Sequence, residues 1–304
     1  MNYVLFDHQS KSRTFSDVLA LHGYDPLPRA HADYPDVKFV LTDNAVLSRQ
    51  KRLDELLRHG VQKFFIYPHA GRPSLVSAFY ENWKHITAEF VSAPGHMEVM
   101  RRAGNENKLH VVGWSLCPLR EFQSRDVIRY VLFAPIHPRN SAIDRKINQA
   151  VLDKLYPLVQ SKRIRLTVRY LAPFEGNGIK RYDGVEYIEG TAGPAWKQID
   201  AADVVISHQT FAFLAVARGV PTLMMGEDIR PHVEYRNGTF IEARGWEDYR
   251  DLLMYPLDIL YSTDPLGMME KAAQSDEAIR GWRKRMIGES FDGGKFVETI
   301  ESYL

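Results

Sequence analysis

The sequence predicts an α/β protein made of two Rossmann-like, doubly wound domains that face each other across a central cleft. Three observations predict it. Short apolar runs alternate with segments of helical periodicity along the chain, the pattern of a parallel sheet covered by helices. The alternation breaks near residues 113–128, where Gly113 and Pro118 interrupt it and Arg120–Asp126 is polar, and then restarts with the same layout. At 304 residues the chain is long enough for two cores of ordinary size. The expected boundaries are 1–120 for an N-terminal domain, 128–285 for a C-terminal domain, and 286–304 for a C-terminal helix that packs back on the first.

The elements follow in order. Tyr3–Phe6 is a first apolar strand, ending in Asp7-His8-Gln9, and a helix over about Arg13–His22 is closed by Gly23. Val37–Leu41 is a strand ending in Thr42-Asp43-Asn44. Residues Ala45–His59 place Val46, Leu47, Leu53, Leu56 and Leu57 at helical spacing, with Gly60 as the stop. Lys63–Tyr67 is a strand with Pro68-His69-Ala70-Gly71 at its end. Strands at Ile86–Val91 and Leu109–Val112 flank a helix at Pro94–Ala103. In the second half, strands are expected at Arg129–Ala134, Ile164–Leu171, Val185–Ile188, Val204–Ile206, Thr222–Met225 and Pro256–Tyr261. Helices are expected at Ala142–Val159, Pro194–Ala201, Phe211–Arg218, Pro265–Ala273, Glu277–Ile287 and Lys295–Tyr303. The halves repeat in layout and not in sequence.

Bulk properties exclude several classes. A net charge of +1 is wrong for a strongly basic nucleic-acid coat. The small basic excess, and eight of the 11 histidines, lie in the first 128 residues. A single cysteine, Cys117, excludes an internal disulfide and a cysteine-rich zinc site. The apolar tract Val204–Met225 is interrupted by His208, Gln209, Thr210 and Arg218, so it reads as core and not as a membrane span. With no charged segment before an apolar one at the N-terminus, a cytoplasmic protein is expected. No Gly-Lys-Ser/Thr and no Gly-X-Gly after the first strand occur, which removes the phosphate-loop and dinucleotide fingerprints. No metal site is expected, since no His/Cys cluster has ligand spacing.

The organising stretch is Asp203–Asp228: buried strand, polar loop, apolar helix, Gly219 turn, second buried strand. Ser207-His208-Gln209-Thr210 falls where a strand ends and a helix begins, and Glu227-Asp228 falls just past the next strand. Ligands of open parallel sheets bind at such ends, where helix N-termini offer free N–H groups and partial positive charge. Backbone N–H groups of Gln209 and Thr210, with the Ser207 or Thr210 hydroxyl, are therefore the expected phosphate donors. His137 and Arg139, in the loop Pro135–Arg139, can neutralise a diphosphate, Arg bidentately.

Ala202-Asp203-Val204-Val205-Ile206-Ser207, the polar loop, and the apolar helix closed by Gly219-Val220-Pro221 resemble the donor-binding half of GT-B glycosyltransferases. The likeness is nearest to the branch of the CDP-glycerol glycerophosphotransferases and UDP-GlcNAc 2-epimerases. It covers residues 129–228, and residues 1–128 by layout alone. The resemblance implies a nucleotide-activated sugar as co-substrate, with no cofactor. It implies a base-recognition loop at Glu189-Gly190-Thr191-Ala192-Gly193, and a base from the first domain: His69, which stands in a loop like the family's His-Gly, or else His8 or Asp7. Asp43 ends a strand in the same way. One departure stands out. The family carries an acid in the helix facing the ribose, whereas Phe211–Ala217 is wholly apolar, so the role falls to Glu227 or Asp228.

No Asp-X-Asp triplet occurs, which favours a metal-independent transfer to an acceptor hydroxyl, the helix dipole and Arg/His replacing the ion. The acceptor is a glycan, a polymer or a modified DNA base, the last on account of Lys11, Arg13, Arg49-Gln-Lys-Arg52 and Arg101-Arg102. Two other readings are an epimerase or hydrolase of the same fold, and a GT-B-like binding protein without chemistry.

Overall fold

A computed structural model describes residues 3–6, 13–28, 37–42, 50–67, 85–105, 107–136, 142–170, 179–190, 195–226, 233–236, 239–242, 246–275 and 277–304. The chain divides into two compact units. The first takes in 1–116, 231–253 and 288–304, and the second 117–230 and 254–287.

Six parallel strands form the sheet of the first unit: β1 (Tyr3–Phe6), β2 (Asp25–Pro28), β3 (Val37–Thr42), β4 (Phe64–Ile66), β5 (Ala88–Val91) and β6 (Leu109–Val111), in the order β2-β1-β3-β4-β5-β6. β2 is absent from the sequence reading, because Asp25-Pro-Leu-Pro28 looks like a turn. Its two prolines are tolerated because it lies at the sheet's edge, where a missing N–H breaks no ladder. One face of the sheet is aromatic: Phe39, Phe65 and Phe90 are each at most 1% exposed. Helices α1 (Arg13–Leu21) and α10 (Gly293–Glu301) contribute Phe15, Leu19, Phe296 and Val297 to the same cluster, and Phe296 meets Phe90 with ring centroids 4.7 Å apart. Each such ring withdrawn from water is worth about 1.5–3 kcal/mol. On the other face, α2 (Gln50–Arg58) brings Leu56 against Val40, Phe64 and Ile66. α3 (Pro94–Arg102) begins with Pro at a first-turn position, which needs no N–H. The C-terminal segment is pinned where it reaches Trp114. Gly113, at φ +89°, has Ser290 O at 2.2 Å from where a Cβ would stand, so only glycine fits.

β12 (Val233–Arg236) and β13 (Thr239–Glu242) pair antiparallel, with Arg236 opposite Thr239. Asn237-Gly238, the two residues between them, is a sequence strongly favoured for so short a connection. With α7 (Trp246–Leu253), which packs on α3, this hairpin belongs to the first unit, although the sequence reading runs the second domain through it.

The second unit's sheet is also parallel, in the order β11-β10-β7-β8-β9, from β7 (Tyr130–Phe133), β8 (Arg165–Tyr170), β9 (Glu186–Glu189), β10 (Val204–Ile206) and β11 (Thr222–Leu223). Leu132 and Val205 pack with α5 (Ala195–Ala201) and α6 (Gln209–Ala217) through Ile199, Ala202, Ala215 and Val220. α4 (Ala142–Gln160) and α8 (Pro265–Gln274) pack together, against β8 and against β10 and β11 respectively. α9 (Glu277–Met286) brings Trp282 onto Phe213 of α6, ring centroids 4.9 Å apart. The strand expected at Pro256–Tyr261 is instead a single bridge, Met224 to Asp258, followed by a 3-10 turn at Ile259–Tyr261. Asp258 Oδ1 accepts from Leu260 N at 2.9 Å, and this local cap turns the chain away from the sheet.

Candidate functional site

The strand order of the second unit locates the site. From β7 the chain winds outward through β8 to β9, then returns to the other side of β7 to add β10 and β11. The order therefore reverses between β7 and β10, and connections leaving their carboxyl ends diverge to open a crevice. The segments at that point are Ala134-Pro135-Ile136 after β7 and Ser207-His208 after β10.

Both are held by buried hydrogen bonds. Ala134 N donates to Ile206 O at 2.9 Å, and Ser207 Oγ donates to Ala134 O at 2.9 Å. Asn148 of α4, wholly buried, grips Ile136 twice: its Oδ1 accepts from Ile136 N at 2.8 Å and its Nδ2 donates to Ile136 O at 2.7 Å. The backbone leading to His137 and Arg139 is thus fixed by a side chain that the sequence reading passes over. The signal was there: Asn148 interrupts the apolar face Ile147, Val151, Leu152, Leu155.

α6 starts at Gln209, two residues earlier than expected. His208 is its N-cap, extended at φ −144° and ψ 163°, 9% exposed, and its side chain makes no cap bond. Gln209 and Thr210 therefore stand in the first turn, whose amides have no intrahelical acceptor. Ser207, expected to offer its hydroxyl to phosphate, donates that proton to Ala134 O and so joins the two strands.

Glu189 is the last residue of β9, exposed, and Gly190 N donates to Tyr170 O at 2.6 Å. Arg169, near the end of β8, reaches this turn. Its Nη2 donates to Gly190 O, its Nε donates to Gln198 Oε1 of α5 at 2.6 Å, and its guanidinium carbon lies 5.0 Å from the centre of the Phe211 ring in α6. Partial burial lowers its pKa from the ordinary value through desolvation. Arg169 is the second residue absent from the sequence reading. Its signal was an arginine near the end of Arg165-Leu-Thr-Val-Arg-Tyr170, an otherwise core-like strand.

Of the other expected residues, Asp7, His8, Asp43, His69, His137, Arg139, Thr191, Glu227 and Asp228 lie outside the described residues. β1, β3 and β4 end immediately or shortly before Asp7-His8, Asp43 and His69 in sequence, and the order β2-β1-β3 reverses at β1/β3. Arg101 and Arg102 turn to local partners, Nη1 of Arg101 to Asn105 O at 2.8 Å and Arg102 to Glu98 at 2.9 Å. Among the described residues no group of three or more His, Cys, Asp or Glu could hold a metal ion, and no helix is long and apolar enough to cross a membrane.

No family model matches the chain, and no curated protein matches it in sequence. Solved structures do. The wall teichoic acid polymerase TagF, in a variant soaked with CDPG, superposes at TM-score 0.61 with 11% identity, over 99% of this chain and 89% of that one. The fold is GT-B. S. aureus MnaA, solved with UDP, has a GT-B structure similar at TM-score 0.55 and 11% identity, over 100% and 97% of the two chains. The kitacinnamycin glycotransferase matches at TM-score 0.55 and 10% identity, over 100% and 98%. TagF and MnaA match the branch that residues 129–228 resemble. At these identities the likeness is one of GT-B architecture.

Proposed function

We propose that this protein is a metal-independent glycosyltransferase that moves a sugar from a nucleotide-activated donor to an acceptor hydroxyl. The observation that carries the reading is the reversal of strand order at β7/β10, where Ala134 and Ser207, which follow the two strands, are joined by a hydrogen bond just before α6 begins. Amides of Gln209 and Thr210 receive the donor diphosphate, with the positive end of the helix dipole behind them. His137 and Arg139 follow the clamped Ile136 and add positive charge to the leaving group. The turn Glu189-Gly190-Thr191 reads the base, and Glu227 or Asp228 the ribose. In the first unit, which takes the acceptor, His69 accepts the hydroxyl proton as its oxygen bonds to the anomeric carbon. The bond from that carbon to the phosphate oxygen breaks, and the nucleoside diphosphate leaves with the electron pair. The absence of Asp-X-Asp supports metal independence.

A second reading, a nucleotide-binding protein without turnover, is favoured by one feature: α6 carries no acidic residue to face a ribose. A thermal-shift panel of UDP-, GDP-, CDP- and ADP-linked ligands, with and without magnesium, tests both, since ligand binding raises stability by mass action. One nucleotide class should shift the transition equally with and without the metal, and donor hydrolysis or transfer should follow. A shift without turnover on any acceptor supports the binding protein. Millimolar ligand with no shift overturns both.

A further inference from the structure

We infer that Arg169 is an anion-binding residue of the second unit, holding a phosphate or diphosphate group at the carboxyl end of β8. The inference deepens the proposed donor site and rests on that reading for the nucleotide, though not for the anion.

The argument starts from charge. Arg283 of this unit, partly buried, rests on the backbone carbonyls of Arg120 and Ala217, whereas Arg218 and Arg125 meet carboxylates: Arg218 is paired with Asp200, and Arg125 lies 3.4 Å from Asp203. Arg169 meets none among the described residues. Its two hydrogen-bond partners, Gly190 O and Gln198 Oε1, are neutral, and its third contact is the face of Phe211. A cation taken partly out of water without a counter-charge is unfavourable. Here the penalty is compounded. Phe211 is in the first turn of α6, so the guanidinium lies near the positive end of a helix dipole, where another cation is repelled and an anion attracted.

Donor geometry gives the same answer. A guanidinium has five N–H groups in a planar fork. Two are engaged, one on Nε and one on Nη2. The three that remain, both on Nη1 and the second on Nη2, have no partner among the described residues. The contacts in place hold the fork from three sides, the turn after β9, α5 and α6, so little freedom is lost when an anion arrives. A planar pair of N–H groups matches two oxygens of a phosphate better than a lysine would.

The test measures binding of inorganic diphosphate, the four nucleoside diphosphates and the corresponding uncharged nucleosides to the full chain, by calorimetry, for wild type, Arg169→Gln and Arg169→Lys. Arg169→Gln should weaken diphosphate and nucleoside diphosphate binding about 10- to 100-fold, the range for a lost charged hydrogen bond, and leave nucleoside binding unchanged. Arg169→Lys, which keeps the charge and loses the fork, should fall between the two and serves if the glutamine variant does not fold. The wild-type affinity should also fall with salt more steeply than that of Arg169→Gln. Equal binding of diphosphate by wild type and Arg169→Gln overturns the inference while leaving the donor-site reading intact. Equal losses for nucleoside and nucleoside diphosphate also overturn it, because a residue that merely shapes the turn would produce them. Arg169-dependent binding of inorganic diphosphate, with no binding of any nucleotide, sustains the inference and removes the transferase.

Discussion

Replacing Asn148 by alanine should destabilise the second unit and weaken donor binding together. The side chain makes two hydrogen bonds, at 2.8 and 2.7 Å, to the N–H and C=O of Ile136. Asn148 is 0% and Ile136 1% exposed, so water does not replace either bond without a rearrangement. Each buried group left unsatisfied costs about 1–3 kcal/mol, giving a total of about 2–6 kcal/mol for the pair. For a domain near this unit's size, that is a fall in midpoint of about 8–16 °C at the middle of the range. Trp282, 2% exposed within the same unit, reports the transition by fluorescence. Asn148→Asp sharpens the test. An ionised carboxylate accepts from Ile136 N but has no proton for Ile136 O, so at neutral pH it should be at least as destabilised as alanine. It should regain stability as pH falls, when the protonated acid can donate again. Nucleotide affinity should drop in both variants, because the chain from Ile136 leads directly into His137 and Arg139. A midpoint for Asn148→Ala within about 1 °C of wild type would refute the reasoning, since even the smallest cost above exceeds it.

Three further outcomes are expected. Gly219→Ala should fail to give a stable second unit, measured as soluble yield and midpoint, because Gly219 has φ +72° and a Cβ there would lie 2.0 Å from Glu121 O. Gln209→Pro should keep the helix and lose donor affinity about tenfold by calorimetry: proline is tolerated at the first helical position, the extended His208 suits a following proline, and one anion-facing N–H is removed. The first unit should lose stability as pH falls below the ordinary histidine value near 6.5. Burial, then Lys295 and Lys108, lower the pKa of His110, whose Nε2 lies 2.9 Å from Tyr303 Oη, so the unfolded chain takes up a proton before the folded one. That stability is present above the unfolded pKa and is lost towards the folded one. Urea titrations at stepped pH, with His110→Phe flattening the slope, check it.

What the sequence made legible follows from which signals are local. β10, α6 and the Gly219 stop could be placed because an unbroken apolar run, a polar cluster and a glycine each have one physical reading at that spacing. Even there the second half of the glycine's role, contact with the backbone of Glu121, is a tertiary fact with no local trace. β2 was hidden because its prolines signal a turn unless the strand is known to be at an edge, and edge status is a property of the sheet. The hairpin of β12 and β13 has a local signal in Asn237-Gly238 and in the alternation of Val233-Glu-Tyr-Arg236, although Thr239-Phe-Ile-Glu242 does not alternate. The two arms of the Ile136 clamp could not be seen. A polar residue on an apolar helix face shows that something must satisfy it, and only the fold says what.

The same distinction bears on the proposed donor site. The resemblance places an acid in the helix after β10, and here that helix is apolar from Phe211 to Ala217, with Ala212, Phe213, Ala215 and Ala217 at 0% exposure and Phe211 and Leu214 partly buried. An acid at any of the four buried positions would be an unpaired buried charge unless a bound ribose satisfied it. The structure instead concentrates its polar groups around the rim: the Asn148 clamp beneath the β7 loop, the uncapped first turn of α6, and Arg169 over the β9 turn. In the proposed site these groups suit phosphate and backbone shape more than sugar hydroxyls. Recognition of the nucleotide through its diphosphate, with base selection left to the turn that Arg169 holds, is the arrangement consistent with all three. It predicts that affinity in this protein depends on the phosphate count of the ligand more steeply than on the presence of the ribose 2′-hydroxyl. A panel comparing nucleoside mono- and diphosphates with their deoxy counterparts measures that difference, and a larger effect from the hydroxyl than from the second phosphate would contradict it.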